Sequence, residues 1–143
     1  MKKKVKIIIV LILVIGTATA IYAYKEYNRG QKDLSKEKAD LVVNATDLYK
    51  AFSDDETNAN TTYLDKVVAV KGKVISGDKD AEGNYTVQLD AGSDMGVISC
   101  QMDPKYNADA AKLQAGNMVT LKGTCTGILM DVVLIRCVLE KNK

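Results

Sequence analysis

Cys100, Cys125 and Cys137 are the residues with the most distinctive chemistry in this chain. Histidine and tryptophan are absent, so the commonest general base and the commonest zinc ligand are missing. No Gly-rich phosphate loop, paired-carboxylate motif or nucleophile elbow stands in for them. The expectation is a non-enzyme with no catalytic residues, no metal and no cofactor. Cys125 and Cys137 fall on segments that read as consecutive antiparallel strands. In an oxidising compartment they are candidates for a cross-strand disulfide, contributing on the order of 3 kcal/mol in the chain-entropy account. The alternative is three buried free thiols acting as small core hydrophobes. A redox-active role would want an exposed low-pKa thiol, usually in a Cys-x-x-Cys arrangement, and the sequence has none.

The carboxylates carry less. Asp54-Asp55-Glu56 reads as the solvated side of a helix. Asp78, Asp80 and Glu82 have the spacing of half a calcium loop, but the glycine is displaced to Gly83 and no bidentate Glu closes a 12-residue frame. Hydrogen bonding is the remaining chemistry. Strand alternation turns Lys71, Lys73, Thr86, Gln88, Ser99 and Gln101 outward, and these six form the candidate ligand-binding face. They can hydrogen bond but cannot stack, whereas single-stranded nucleic acid is held on aromatic rings ringed by cations. Tyr85 alternates with Val87 and Leu89 and is assigned to the core. From Asp40 onward there are 11 Lys or Arg against 15 Asp or Glu. A domain of charge near −4 argues against non-specific nucleic-acid affinity, which comes mostly from cations on phosphates.

The elements that must position these residues follow from periodicity. Asn44-Ala45-Thr46-Asp47 is a helix start, with Asn44 or Thr46 as cap, and Leu48, Tyr49, Phe52 and Ala59 recur on one face. From Lys66 the period becomes two. Strands are expected over 66–75, Tyr85–Leu89, Met95–Met102, Met118–Cys125 and Val132–Leu139, with a short helix over Asn107–Leu113 that Gly116 ends. Gly72 and Gly123 lie within strands where a small barrel bends sharply and backbones approach closely. The fold class is mainly β: a five-stranded OB-fold barrel with an N-terminal helix and a short helix between strands three and four, preceded by one transmembrane helix.

That helix is read from Lys2, Lys3, Lys4 and Lys6 followed by 18 uncharged residues, Ile7 to Tyr24, and closed by Lys25. At ~1.5 Å per residue the run spans roughly 27 Å, close to the hydrocarbon thickness of a bilayer. The lysines before it place the N-terminus in the cytoplasm and the remainder outside, in a bacterial periplasm or at the cell surface. The organisation expected is an anchor over 1–25, a polar tether over 26–43 and an OB-fold domain over 44–143. A cleaved signal peptide ending at Ala18-Thr19-Ala20 is the competing reading, and it places the domain outside equally.

Several stretches carry a likeness to a known family: 63–72 (YLDKVVAVKG), Val97-Ile98-Ser99-Cys100, 113–127 (LQAGNMVTLKGTCTG) and 130–137 (MDVVLIRC). On them, the chain from Asn44 to Lys141 resembles the tRNA_anti-like OB-fold family of small exported, membrane-anchored bacterial proteins. The resemblance implies the fold and brings no catalytic or ligand-contacting residue with it, because function lives in sites grafted on folds. The leading functional expectation is a membrane-anchored extracytoplasmic module binding a protein, peptide or glycan. A nucleic-acid-binding OB protein and a structural subunit of an envelope complex are the alternatives.

Overall fold

The computed structural model describes residues 2–27 and 32–141, in two units, 1–32 and 33–143. In the first unit, helix α1 (Lys2–Tyr27) runs without interruption through the Ala18-Thr19-Ala20 triplet. It is long and apolar enough to cross a membrane. Its two threonine hydroxyls are satisfied inside the helix, Thr17 Oγ1 on Val14 O at 3.0 Å and Thr19 Oγ1 on Ile15 O at 3.0 Å. Hydrocarbon demands this, since it offers no water to take a polar group.

In the second unit the strands are β1 (Leu41–Asn44), β2 (Val67–Lys79), β3 (Tyr85–Leu89), β4 (Ile98–Met102), β5 (Met118–Ile128) and β6 (Val132–Leu139). The barrel closes in the order β2-β3-β4-β6-β5 and back to β2. The β4–β6 contact is parallel and the other four are antiparallel. This is the closed five-stranded OB barrel expected, with a short helix, α4 (Asn107–Ala110), between β4 and β5. Strand β2 closes the barrel because it bends. Its first half pairs with β5, its second half with β3, and the register slips between Val74 and Ser76.

The interior is lined by alternate strand residues, among them Val70, Val87, Leu89, Ile98, Leu121 and Leu134, all 0 % exposed. Two helices precede the barrel, α2 (Ala45–Asp54) and α3 (Glu56–Tyr63). Ala45, Leu48, Tyr49 and Phe52 recur at helical spacing and enter the core. Each large side chain buried in this way contributes roughly 1.5–3 kcal/mol. The single helix expected from the sequence is divided at Asp55, whose extended backbone stops α2 and whose carboxylate accepts the Asn58 N–H to cap α3. Gly72 permits the docking: a Cβ there would lie 2.9 Å from Ala45 Cβ and 3.2 Å from Leu89 Cβ.

The stretch from Asp33 to Val43, expected as part of a polar tether, lies on the barrel instead. Residues 28–31 of that tether are outside the described residues. Leu41–Asn44 forms β1, parallel to the first half of β2. Asp40 doubles the attachment, its N–H donating to Val67 O at 2.7 Å while its carboxylate accepts the Val67 N–H at 2.9 Å. On the outside of the barrel Ala69, Lys122 and Val138 stand in one register row, and all three are buried. The strap of residues 33–40 covers them. Leu34 is 2 % exposed, and Lys122 Nζ donates to Glu37 O at 2.6 Å.

Candidate functional site

The six residues of the candidate face separate into two places. Thr86 stands directly opposite Gln101, and Gln88 directly opposite Ser99, on adjacent strands β3 and β4. Together they make a two-by-two block on the outer surface. Ser76 of β2 lies in register beside Gln88, its hydroxyl 3.1 Å from Gln88 Oε1 and 3.1 Å from Asp78 Oδ2. Among the described residues, Thr86, Ser99 and Gln101 make no side-chain hydrogen bond. Their donors and acceptors are open to a ligand. The block is uncharged, with Asp78 at its β2 margin. On the β6 side stands Arg136, whose Nη2 is engaged with Thr124 Oγ1 at 3.2 Å.

Lys71 and Lys73 are elsewhere, on the half of β2 that pairs with β5. With Asn44, Thr46, Asp90 and Met118 they line a shallow hollow of about 230 Å³. Asp90 and the nearby Asp47, which accepts from Asn44 Nδ2 at 3.0 Å, oppose the two cations. The sequence placed these lysines correctly as outward and on β2, but the bend of that strand carries them off the β3–β4 face.

None of the aromatic rings described in the barrel unit belongs to the block. Phe52 and Tyr63 face each other with centroids 6.0 Å apart, and Tyr49 is 9 % exposed within the core. Tyr85 packs on the core as expected and carries Lys79 Nζ 5.8 Å from its ring centroid. Tyr106 Oη lies 2.8 Å from Asp33 Oδ1 and 2.8 Å from Ser35 Oγ. None supplies a stacking platform on the block itself. The Asp33 carboxyl is held down at about 2 by hydrogen bonds from Ser35 and then Tyr106. The loop carboxylate of Asp80 is lowered chiefly by the Asn84 N–H, which it accepts at 2.8 Å. That carboxylate is spent on holding its own turn, and among the described residues no group of acidic, His or Cys side chains could hold a metal ion.

The three cysteines are all buried and free, the second of the two arrangements that the sequence left open, and the candidate disulfide between Cys125 and Cys137 is not formed. The turn between β5 and β6 is only three residues long, Leu129 to Asp131, and sets Ile128 opposite Val132. A register slip between Cys125 and Gly127 then leaves Cys125 opposite Leu134. The residue whose absent side chain makes room for the Cys137 sulfur is Gly123, where any Cβ would collide with it. Cys137 faces inward because β6 carries a bulge at Arg136, at φ 54°. Its neighbour is Cys100, which hydrogen-bonds it, and burial first and that contact second push the Cys137 thiol well above its ordinary value. Burial, assisted by the charge of Asp65, also raises Cys125 against the Gly127 N–H that lowers it. Such sulfurs are poor nucleophiles and serve as core filling.

A second feature escaped sequence reasoning. A cavity of about 730 Å³ opens beside the strap, lined by Ser35, Tyr106, Asp109, Lys122, Glu140 and Lys141 among others. Its two cations and two carboxylates cancel. Lys122 sits at its edge with Glu140 Oε1 4.0 Å away. The signal was present in Leu34, an isolated apolar residue in a polar stretch, and in the run Leu41-Val42-Val43 before the helix cap.

No curated protein sequence matches the chain. Among solved structures, one from Klebsiella pneumoniae subsp. pneumoniae, described as a candidate nucleic acid-binding lipoprotein, has a TM-score of 0.57 at 19 % identity. The match covers 69 % of this chain and 91 % of that one, and at this identity the likeness is one of fold. The tRNA_anti-like family profile matches residues 1–139. With the closed barrel, the inter-strand helix and nearly the whole sequence in agreement, the chain belongs to the tRNA_anti-like family.

Proposed function

We propose that the protein is a non-catalytic binding module, held at a membrane by α1 with its N-terminus in the cytoplasm and its barrel on the extracytoplasmic side. It takes its ligand on the outer face of β3 and β4. The observation that carries this reading is the block of Thr86, Gln88, Ser99 and Gln101, opposed in register and, apart from the Ser76 contact to Gln88, without side-chain partners among the described residues. Four polar side chains aligned by two neighbouring strands are a preorganised hydrogen-bonding surface, and preorganisation lowers the cost of binding. The lysines ahead of α1 support the orientation.

Nucleic acid is the second reading, favoured by the description of the Klebsiella protein. The lack of an aromatic side chain in the block and the acidic balance of the domain weigh against it here. A titration of the full chain with labelled single-stranded DNA and RNA, at low and at physiological salt, separates the two. The proposed reading expects no saturable binding at either salt. Tight binding that Thr86→Ala or Gln101→Ala weakens would make nucleic acid the ligand of the same face.

A further inference from the structure

We infer that the β3–β4 face takes an uncharged oligosaccharide, an inference that rests on the reading of that face as the ligand surface. The chemistry of the block selects this class. Thr86 and Ser99 offer hydroxyls, and Gln88 and Gln101 offer amides, so each corner can both donate and accept. Adjacent strands are separated by roughly 5 Å and alternate residues along a strand by roughly 7 Å, a grid on the scale of a sugar ring. Sugar hydroxyls are also donor and acceptor at once and match such groups without a counter-charge.

Other ligand classes lack what they need. A nucleic acid would need cations and rings on the face, and the four residues of the block include neither. An extended peptide adds to an open sheet edge, but β3 lies between β2 and β4, and β4 between β3 and β6, so neither has an edge to offer. An amphipathic helix would need an apolar groove, and the block is polar. An anionic glycan would meet Asp78 in register with Thr86, while Arg136 on the β6 side is drawn toward Thr124. A neutral glycan meets hydrogen-bonding groups, with Val133 in register beside Ser99 as an apolar neighbour for a C–H face. With no ring to stack on, hydrogen bonds must supply the specificity, and loss of one pair should cost about tenfold in affinity, corresponding to about 1.4 kcal/mol.

The test uses the full chain in micelles of a sugar-free detergent. The probes are linear oligosaccharides of glucose, mannose, galactose and N-acetylglucosamine, titrated by calorimetry at low and physiological salt. The expected result is saturable binding to at least one of them, insensitive to salt. It should weaken about tenfold in Gln88→Ala and in Gln101→Ala and be unchanged in Lys71→Ala, all three folding as the parent does by circular dichroism. Binding that the Gln88 and Gln101 variants leave intact overturns the face, and with it the proposal that β3 and β4 take the glycan. Failure of every oligosaccharide to saturate the chain overturns the glycan assignment alone, and a photo-crosslinker at position 101 then judges the face. A discrete protein adduct in cells keeps the face as a protein-binding surface, and absence of any adduct removes it.

Discussion

At Gly123 the missing side chain is a packing requirement. A Cβ there would run into the Cys137 sulfur and lie 3.0 Å from Ile135 O and 3.3 Å from Leu134 Cβ. The carbonyl belongs to a bulged strand already set by the barrel and has little freedom to retreat. Gly123→Ala should therefore destabilise the barrel by roughly 1–3 kcal/mol, the usual cost of overpacking, read as a lower urea midpoint with unchanged slope. An unchanged midpoint would mean that the sulfur moves aside freely. Asp33 supplies a test by acid. Its carboxyl titrates at about 2 in the folded chain against an ordinary 3.8. The stabilisation it contributes is thus present above about 3.8 and lost as the pH falls through about 2. In Tyr106→Phe one of the two hydroxyl donors is gone, and a carboxyl-detected NMR titration should show the Asp33 midpoint moving up toward 3.8. The thiols offer a third test: with all three cysteines free and buried, none should react with a thiol reagent in the native chain and all three should react once it is unfolded without reductant. Two missing thiols after unfolding would show a disulfide.

At the scale of elements the strap is the part most open to perturbation. Leu34 is buried against the outside of the barrel, 2 % exposed, and its truncation to Ala should cost roughly 2–3 kcal/mol through lost burial and the cavity left behind. Glu37→Ala should change stability by no more than about 0.5 kcal/mol, since it is the backbone carbonyl of Glu37 that meets Lys122 and its carboxylate makes no described contact. Equal and large effects from both variants would contradict this geometry. The five barrel strands and the inter-strand helix were legible because alternation is a local property. Their ends were less so. The fourth barrel-unit strand, β4, starts at Ile98 and not at Met95, because Ser93 holds the Met95 N–H and the Asp131 carboxylate holds the Val97 N–H. Strand β2 runs on to Lys79, past the glycine and aspartate that mark a turn in sequence, because β3 pairs with it as far as Tyr85.

At the scale of the whole molecule, α1 and the barrel make independent demands on their solvent. The helix has no buried residue, whereas the barrel encloses its own core. The full chain should therefore remain with the membrane fraction through alkaline carbonate washing, and a chain beginning at Lys32 should be soluble with a β-dominated circular dichroism spectrum. Release of the full-length chain by carbonate would show that α1 does not span. Beginning instead at Asp40 would discard the strap and uncover Lys122, Ala69 and Val138, so that shorter form should be less stable than the longer one.

Sequence alone determined the five barrel strands, the apolar N-terminal helix and the four outward polar residues of β3 and β4, because each follows from a periodicity of two or 3.6 residues within one segment. The face of β6 is the exception: alternation turns Val133 and Ile135 inward, whereas the bulge that brings Cys137 inward after Val132 and Leu134 leaves no mark in it. Tertiary structure alone decided what depends on register between segments. The bend of β2 divided Lys71 and Lys73 from Thr86 and Gln88. The three-residue turn and the bulge at Arg136 set Cys137 beside Cys100 and not opposite Cys125. The strap closed over Lys122 because a single leucine and three backbone contacts, each weak in isolation, were brought to one barrel face at once.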